Sequence, residues 1–135
     1  MANTLYDEAR RLFLEAGINW LTDDIKAILV DTGAYSPNFS THQYLSDIPT
    51  SARITPGVLL TSKVTTGGAA DAADVTFSTV SGATIEAIVL YKDTGTESTS
   101  NLIAWLDTAT GLPITPNGGD IIVTWDNGVN KIFRL

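Results

Sequence analysis

The C-terminal segment constrains the fold more than any other part of the sequence. Two strand-like runs, residues 120–125 and 129–135, flank Asp126-Asn127-Gly128. Asn-Gly between apolar runs is a strong signal for a two-residue hairpin turn. Such a turn would place Val123 opposite Ile132 and Ile122 opposite Phe133. Both faces of the hairpin would then carry apolar side chains, so we expect them to be covered by other parts of the chain or by another chain.

Length and charge narrow the possible classes of protein. A chain of 135 residues without cysteine can bury a core as one domain, residues 1–135, without disulfides or metal. The net charge of −7, with eight Lys and Arg, argues against nucleic-acid binding, because phosphate contacts need clustered cations. The first residues lack the basic and apolar regions of a signal peptide, and no apolar run approaches the roughly 18 residues of a membrane span. We expect a soluble protein that binds neither nucleic acid nor membrane.

One amphipathic helix is predicted near the N-terminus, over residues 4–16 within an N-terminal segment of residues 1–17. Thr4 and Asp7 resemble a capping box, and Gly17 stands where a left-handed residue would end the helix. The apolar residues at helical spacing are Leu5, Ala9, Leu12, Phe13 and Ala16. This stripe either packs on a sheet or docks on a neighbouring subunit.

The remaining residues, 18–135, read as a β-domain. Besides the C-terminal runs, strand patterns occur at residues 25–31, 58–65, 75–80, 83–92 and 102–107. A long polar loop at 33–49, with one helical turn at 40–45, and a small-residue stretch at 66–73 interrupt them. The pattern predicts a mainly β fold, an antiparallel β-sandwich or open barrel with one N-terminal α-helix.

The sequence contains no convincing catalytic or ligand-binding motif. His42 lies in a turn-rich segment, and no serine lies in a Gly-x-Ser-x-Gly motif. Asp71 and Asp74 lack the order of acidic residues in a calcium-binding EF-hand loop. Gly67-Gly68 is not followed by the Gly-Lys-Ser/Thr of a phosphate-binding loop, so we interpret it as a turn. We therefore expect no enzymatic activity, catalytic residue, cofactor or bound metal.

Aromatic residues leave a second class of function open. Trp20 and the loop aromatics Tyr35, Phe39 and Tyr44 could stack on sugars in a carbohydrate-binding β-module. Trp105 and Trp125 lie within strand patterns, which favours a place in the core or at a subunit interface.

Four stretches resemble small virion structural proteins of tailed bacteriophages. They are Met-Ala-Asn-Thr-Leu-Tyr-Asp-Glu-Ala-Arg at residues 1–10, Ser-Thr-His-Gln-Tyr-Leu-Ser-Asp-Ile-Pro at 40–49, Glu-Ala-Ile-Val-Leu-Tyr-Lys-Asp-Thr-Gly at 86–95, and the C-terminal segment. The resemblance implies a capsid decoration or cement protein on the outer surface of the head, assembled into the virion in the host cytoplasm. It also implies the major capsid protein or another virion protein as partner, and a homo-oligomer, with a trimer favoured. A tail, neck or fibre component is the alternative.

The predicted contact surfaces follow from this role. We expect the helix and the 33–49 loop to contact the capsid, and the C-terminal hairpin to contact another subunit. Deleting residues 1–16 should then abolish particle binding and leave the β-domain folded. The candidate interface residues are Leu5, Leu12, Phe13, Tyr35, Phe39, Tyr44, Trp125, Phe133 and Leu135.

Overall fold

The chain forms antiparallel sheets and one helix. The computed structural model describes residues 3–108, 111–125, 128 and 131–135. Its elements, in chain order, are β1 (Thr4–Leu5), α1 (Asp7–Leu14), β2 (Ile25–Val30), two 3₁₀ turns (Leu45–Asp47 and Thr50–Ala52), β3 (Val58–Leu59), β4 (Val64–Thr66), β5 (Ala69–Asp71), β6 (Val75–Phe77), β7 (Ala87–Lys92), β8 (Asn101–Leu106), β9 (Ile121–Val123) and β10 (Phe133–Arg134).

A five-stranded sheet forms the centre of the fold, in the order β1-β8-β7-β2-β3. Its three long strands are predominantly apolar, and all of their residues except Lys26, Lys92 and Asn101 are buried. Such sequences suit strands covered on both faces, because neither face then needs polar residues. The predicted strands at 25–31 and 102–107 are confirmed to within a residue, and the strand predicted at 83–92 begins later, at Ala87.

The N-terminal residues belong to this sheet. Thr4 lies opposite Trp105 and Leu5 opposite Ala104, and the Tyr6 N–H donates to the Ile103 carbonyl at 3.0 Å. The helix therefore begins at Asp7, three residues later than predicted. Tyr6, in extended conformation, is the N-cap without a side-chain cap, so the predicted capping box is wrong.

The helix ends differently from the prediction and packs on the sheet. Ala16, not Gly17, takes the left-handed conformation, with φ of +61°. The Gly17 N–H donates to the Leu12 carbonyl at 2.7 Å, which satisfies a carbonyl of the last turn. Ala9 is fully buried, and Leu12 and Phe13 pack against the core. The apolar stripe of the helix thus faces the chain's own sheet.

The C-terminal hairpin prediction is wrong in its pairing. Val123 of β9 lies opposite Val75 of β6, and Phe133 of β10 lies opposite Ala70 of β5. The two C-terminal strands therefore belong to different sheets, β6-β9 and β10-β5-β4, among the described residues. Asp126 and Asn127 of the predicted turn lie outside the described residues. The local turn signal did not specify the long-range partners.

A tight hairpin occurs instead at Gly67-Gly68, where we predicted an interruption. Thr66 lies opposite Ala69, so these two glycines form a two-residue loop. Their φ values, +56° and +90°, are those of a type I′ turn, which glycine adopts without strain. The predicted strand at 58–65 is split into β3 and β4, and Ser62 between them has φ of +52°.

The 33–49 loop is fixed to the core by buried side chains. The Tyr35 and Tyr6 hydroxyls lie 2.9 Å apart, and the Tyr35 hydroxyl also lies 2.9 Å from Nδ1 of His42. Leu45 and Ile48 are buried, and the Leu45 N–H donates to the Ser100 carbonyl at 2.8 Å. The helical turn predicted at 40–45 lies further on, at the 3₁₀ turn of residues 45–47. This loop is a packed part of the fold.

The fold class predicted from the sequence is confirmed. The chain is mainly β, with antiparallel sheets and one helix near the N-terminus, as in a β-sandwich or open barrel. The arrangement leaves the β10-β5-β4 sheet at the margin of the core, beside the end of α1.

Candidate interaction surface

An apolar cleft of about 350 Å³ lies between the segment that follows α1 and the β10-β5-β4 sheet. We call it the cleft, and it is the candidate functional site. Its lining residues are Phe13, Ala16, Ile18, Asn19, Trp20, Leu21, Thr65, Gly68, Ala69, Ala70, Phe133 and Leu135. None of these twelve described residues has a charged side chain. A surface of this composition suits an apolar group of a binding partner.

The floor of the cleft is a row of residues across the small sheet. Phe133 lies opposite Ala70, and Ala70 lies opposite Thr65. Residues directly opposite each other in a sheet project to the same face, so all three side chains lie on the cleft side. The row runs from a large ring to a methyl group and ends at the outer strand β4. The floor is therefore open toward that edge.

Aromatic rings close the other end of the cleft. The Trp20 ring meets Phe133 edge to face, with ring centroids 5.2 Å apart, and the Phe13 ring lies 5.9 Å from Phe133. Edge-to-face contacts at this distance are favourable because the positive ring edge meets the negative ring face. The Trp20 indole N–H donates to the Asp71 carbonyl at 3.1 Å. Trp20 thus joins the 16–21 segment to the small sheet.

Two lysines hold the 16–21 wall in place. Nζ of Lys92 donates to the Gly17 carbonyl at 2.9 Å and lies 3.3 Å from a carboxylate oxygen of Asp23. Nζ of Lys63 donates to the Asp23 carbonyl. Both ends of the wall are thereby attached to the β-domain, so the cleft is preformed and a ligand need not order it.

Two leucines form an exposed apolar rim. Leu21 is 53% exposed and Leu135 is 64% exposed. Single exposed leucines are common, but these two lie beside one uncharged cleft. Contiguous exposed apolar surface is a feature of interaction sites.

The structure separates the predicted interface residues into two groups. Phe13, Phe133 and Leu135 line the cleft. Of the others, Leu5, Tyr35 and Trp125 are buried in the core, and Leu12 and Phe39 pack against it. Tyr44 is partly buried. The Phe39 ring packs against Tyr6 and Trp105. Of the predicted segments, the end of the helix and the last strand thus supply the accessible apolar surface.

The aromatic residues proposed for sugar stacking offer little free surface. Trp20 and Tyr35 are 5% and 4% exposed. A sugar stacks on an open ring face, and neither residue provides one in this fold. Phe39 is partly covered as well.

The titratable groups that depart from their ordinary behaviour serve the fold. Burial raises the pKa of Tyr35 to about 12, and burial, assisted by Tyr35, also raises the pKa of Tyr6. The two hydroxyls, which are hydrogen-bonded to each other, therefore stay protonated to higher pH than exposed tyrosines do. In the part of the chain that the structure describes, no three His, Asp or Glu side chains are grouped to hold a metal ion. The one α-helix described there is also too short to cross a membrane.

Sequence reasoning missed much of the cleft. Leu21 is absent from the candidate interface residues, and the sequence pattern places Thr65 in a strand and Ala70 in an interruption. The available signal was Gly67-Gly68, which the sequence pattern assigns to a turn without pairing the residues on its two sides. Two glycines between short runs are also compatible with a hairpin. Recognising it would have placed Thr65 and Ala70 side by side.

No family model matches this chain, and no curated protein matches it.

Proposed function

We propose that this chain is a non-enzymatic structural protein of a tailed-phage virion that binds the outer surface of the head as a decoration or cement protein. The cleft is the proposed contact for the major capsid protein or another virion protein. The observation that carries the proposal is its uncharged apolar lining with the exposed Leu21 and Leu135 beside it.

Two further features support this function. The resemblance to small phage virion proteins extends over stretches at both ends and in the middle of the sequence. A small β-domain with a preformed apolar cleft can also bind repeatedly to a lattice, since each copy presents the same rigid surface. Lys92 and Lys63 fix the wall of that surface through Gly17 and Asp23.

Immunogold labelling tests the location. Antibodies raised against the purified chain are applied to virions, and we expect regular labelling over the head. Label confined to the tail, neck or fibres would favour the alternative virion location. Absence of label from the intact particle would contradict the proposal.

A matched pair of variants tests the surface. Leu21→Ser and Leu59→Ser remove the same side chain from positions that are 53% and 44% exposed, and Leu59 does not line the cleft. We expect Leu21→Ser to weaken sedimentation with phage heads at least about tenfold, which corresponds to about 1.4 kcal/mol. Leu59→Ser should bind like the unchanged protein. Equal binding by both variants would remove the cleft from the contact.

The proposal includes a homo-oligomer, with a trimer expected. Light scattering on the purified protein measures this directly, and we expect a mass about three times the 14.4 kDa of one chain. A monomer at all concentrations would contradict the trimer, and the chain would then decorate the lattice as single copies.

A further inference from the structure

We propose that the cleft binds an extended segment of a partner protein, which adds a strand to the open edge of β4 and places an apolar side chain over the cleft. The segment carries basic residues beside its apolar ones. This inference deepens the proposed function and rests on it for the identity of the partner. The strand-addition mode follows from two features of the small sheet, and a third feature, charge, selects the occupant.

The first feature is the direction of the backbone groups of Thr65. Thr66 and Ala69 close the two-residue turn and therefore form a hydrogen-bonded pair. The next pair, Thr65 and Ala70, is then a non-hydrogen-bonded pair, in which N–H and C=O point away from the partner strand. The N–H and C=O of Thr65 thus point outward, and β4 pairs only with β5 within the described residues. They can accept one more strand.

The second feature is the position of this edge relative to the cleft. The floor row of Phe133, Ala70 and Thr65 ends at β4. A residue added opposite Thr65 would extend the row and project to the same face, because opposite residues share a face. Its side chain would therefore lie over the cleft, beside Leu21. Main-chain bonds and one side-chain pocket are the usual combination when a peptide adds to a sheet.

The third feature is charge, which selects the occupant. The cleft has no charged side chain, and the nearby Lys63 and Lys92 already bind the Asp23 region. The chain as a whole carries a charge of −7. A second copy would bring a further charge of −7 to this surface, which leaves the proposed trimer to contacts elsewhere on the chain, whereas a basic segment would be attracted to it. The partner is thus a different protein with a basic, apolar, extended segment.

A synthetic peptide tests the inference on the whole chain. The probe is a fluorescein-labelled octapeptide with Lys at both ends and alternating Thr and Val or Leu between them. Binding is measured by fluorescence anisotropy up to about 1 mM, the range of weak single-segment affinities. We expect saturable binding, and at least about tenfold weaker binding when Glu replaces Lys. Absence of saturable binding, or equal binding of the Glu peptide, would overturn the inference.

Two backbone changes test strand addition. Thr65→Pro removes the outward N–H, and proline is tolerated at an edge strand in that orientation. We expect at least about tenfold weaker peptide binding, whereas Leu59→Ser, which lies outside the cleft in the five-stranded sheet, should bind like the unchanged protein. Should Thr65→Pro fail to fold in circular dichroism, a peptide N-methylated on alternate residues makes the same test with unchanged protein. Equal binding of the methylated and unmethylated peptides would refute strand addition.

Self-association and particle binding separate the remaining outcomes. Concentration-dependent oligomers that Thr65→Pro abolishes would overturn the inference in favour of a second copy at this edge. Suppose that the peptide binds, that the Glu peptide and Thr65→Pro weaken the binding, and that virions are not labelled. This result would refute the proposed function and leave strand addition intact. If the Thr65→Pro protein labels virions as strongly as the unchanged protein, strand addition would be refuted and the proposed function would stand.

Discussion

Strands β7 and β4 are both rich in aliphatic or β-branched residues, yet they have opposite environments. β7 pairs with β8 on one side and β2 on the other, and all of its residues except Lys92 are buried. Among the described residues β4 has one partner strand, and all three residues of β4 are exposed. The difference lies in the neighbours: a strand with two partners and two covered faces stabilises the fold, while a strand at an uncovered edge is available to another chain. This division predicts where substitutions affect stability and where they affect binding.

Removing residues 1–16 should have the largest effect, because it takes β1 and α1 away from the five-stranded sheet. Tyr6 and Ala9, which are fully buried, would be lost and the edge of β8 exposed. We expect the cooperative unfolding transition to disappear, a loss comparable to the whole unfolding free energy of a domain, ~5–15 kcal/mol. Thermal unfolding followed by circular dichroism measures this.

A shorter truncation provides the control. Removing residues 1–2 keeps β1 and α1, so a cooperative transition should remain. If residues 17–135 alone unfold cooperatively, the helical segment is an appendage, as the sequence first suggested, and the five-stranded sheet does not need β1.

Leu90→Ala should have the next largest effect. Leu90 is fully buried in β7 and lies between Ala27 of β2 and Ala104 of β8. Alanine there would put three small residues in one row and leave a cavity, for which we expect a loss of ~2–5 kcal/mol in the free energy of unfolding. Chemical denaturation measures the loss.

A leucine-to-alanine substitution at the cleft tests directly whether the cleft differs from the central sheet in its contribution to stability. Leu21→Ala removes the same atoms from a side chain that is 53% exposed. We expect a change within ~0.5 kcal/mol in stability, as for most surface positions. A loss as large as that of Leu90→Ala would show that the cleft wall is part of the stabilising core.

The sequence predicted the central sheet because burial on both faces leaves a local pattern. β2, β7 and β8 are six-residue, mostly apolar segments, a pattern typical of strands buried on both faces. The C-terminal pairing was wrong because Asn127-Gly128 is a signal between neighbours, whereas Val123 pairs with Val75 and Phe133 with Ala70. Those partners are more than forty residues away along the chain, so local turn chemistry cannot identify them.

The cleft was harder to predict than the fold. Its surfaces come from residues 13–21, 65–70 and 133–135, and none of these segments is apolar enough to indicate a pocket alone. Phe13, Phe133 and Leu135 are predicted for their apolar character, and tertiary packing brings Phe13 of the helix to Phe133 of β10. Thr65 and Ala70 have no distinguishing chemistry, since their role depends on their place in the sheet.

Gly68→Ala should affect the small sheet and spare the large one. Gly68 has φ of +90°, which an alanine adopts at a cost of ~1–2 kcal/mol. A Cβ there would meet the Leu135 carbonyl oxygen at 3.8 Å, an ordinary contact, so backbone strain is the expected cause. We expect weaker binding at the cleft and a modest loss of stability in chemical denaturation.

Gly67→Asn is the matched variant for this turn. Gly67 also has positive φ, +56°, but asparagine tolerates that conformation better than alanine. Its stability should therefore stay close to that of the unchanged protein. Equal losses in Gly68→Ala and Gly67→Asn would indicate that the turn needs both glycines for reasons other than φ.

The smallest expected effect concerns the ion pair at the end of β7. Nζ of Lys26 lies 2.9 Å from a carboxylate oxygen of Asp93, and this contact, with the Gly95 N–H, lowers the pKa of Asp93. A carboxylate whose pKa is lowered in the folded state stabilises the fold above its unfolded pKa of about 4, and the stabilisation is lost as pH falls through the folded pKa. Asp93→Asn should therefore lower the free energy of unfolding by less than about 1 kcal/mol at pH 7, because the pair is partly exposed. The difference from the unchanged protein should shrink toward zero as the pH falls below the folded pKa of Asp93. Denaturation at pH 7 and at about pH 2.5 measures both values, and a double-mutant cycle with Lys26→Gln isolates the pair. A difference that persists at low pH would assign the effect of Asp93 to its local turn rather than to the charge of Lys26.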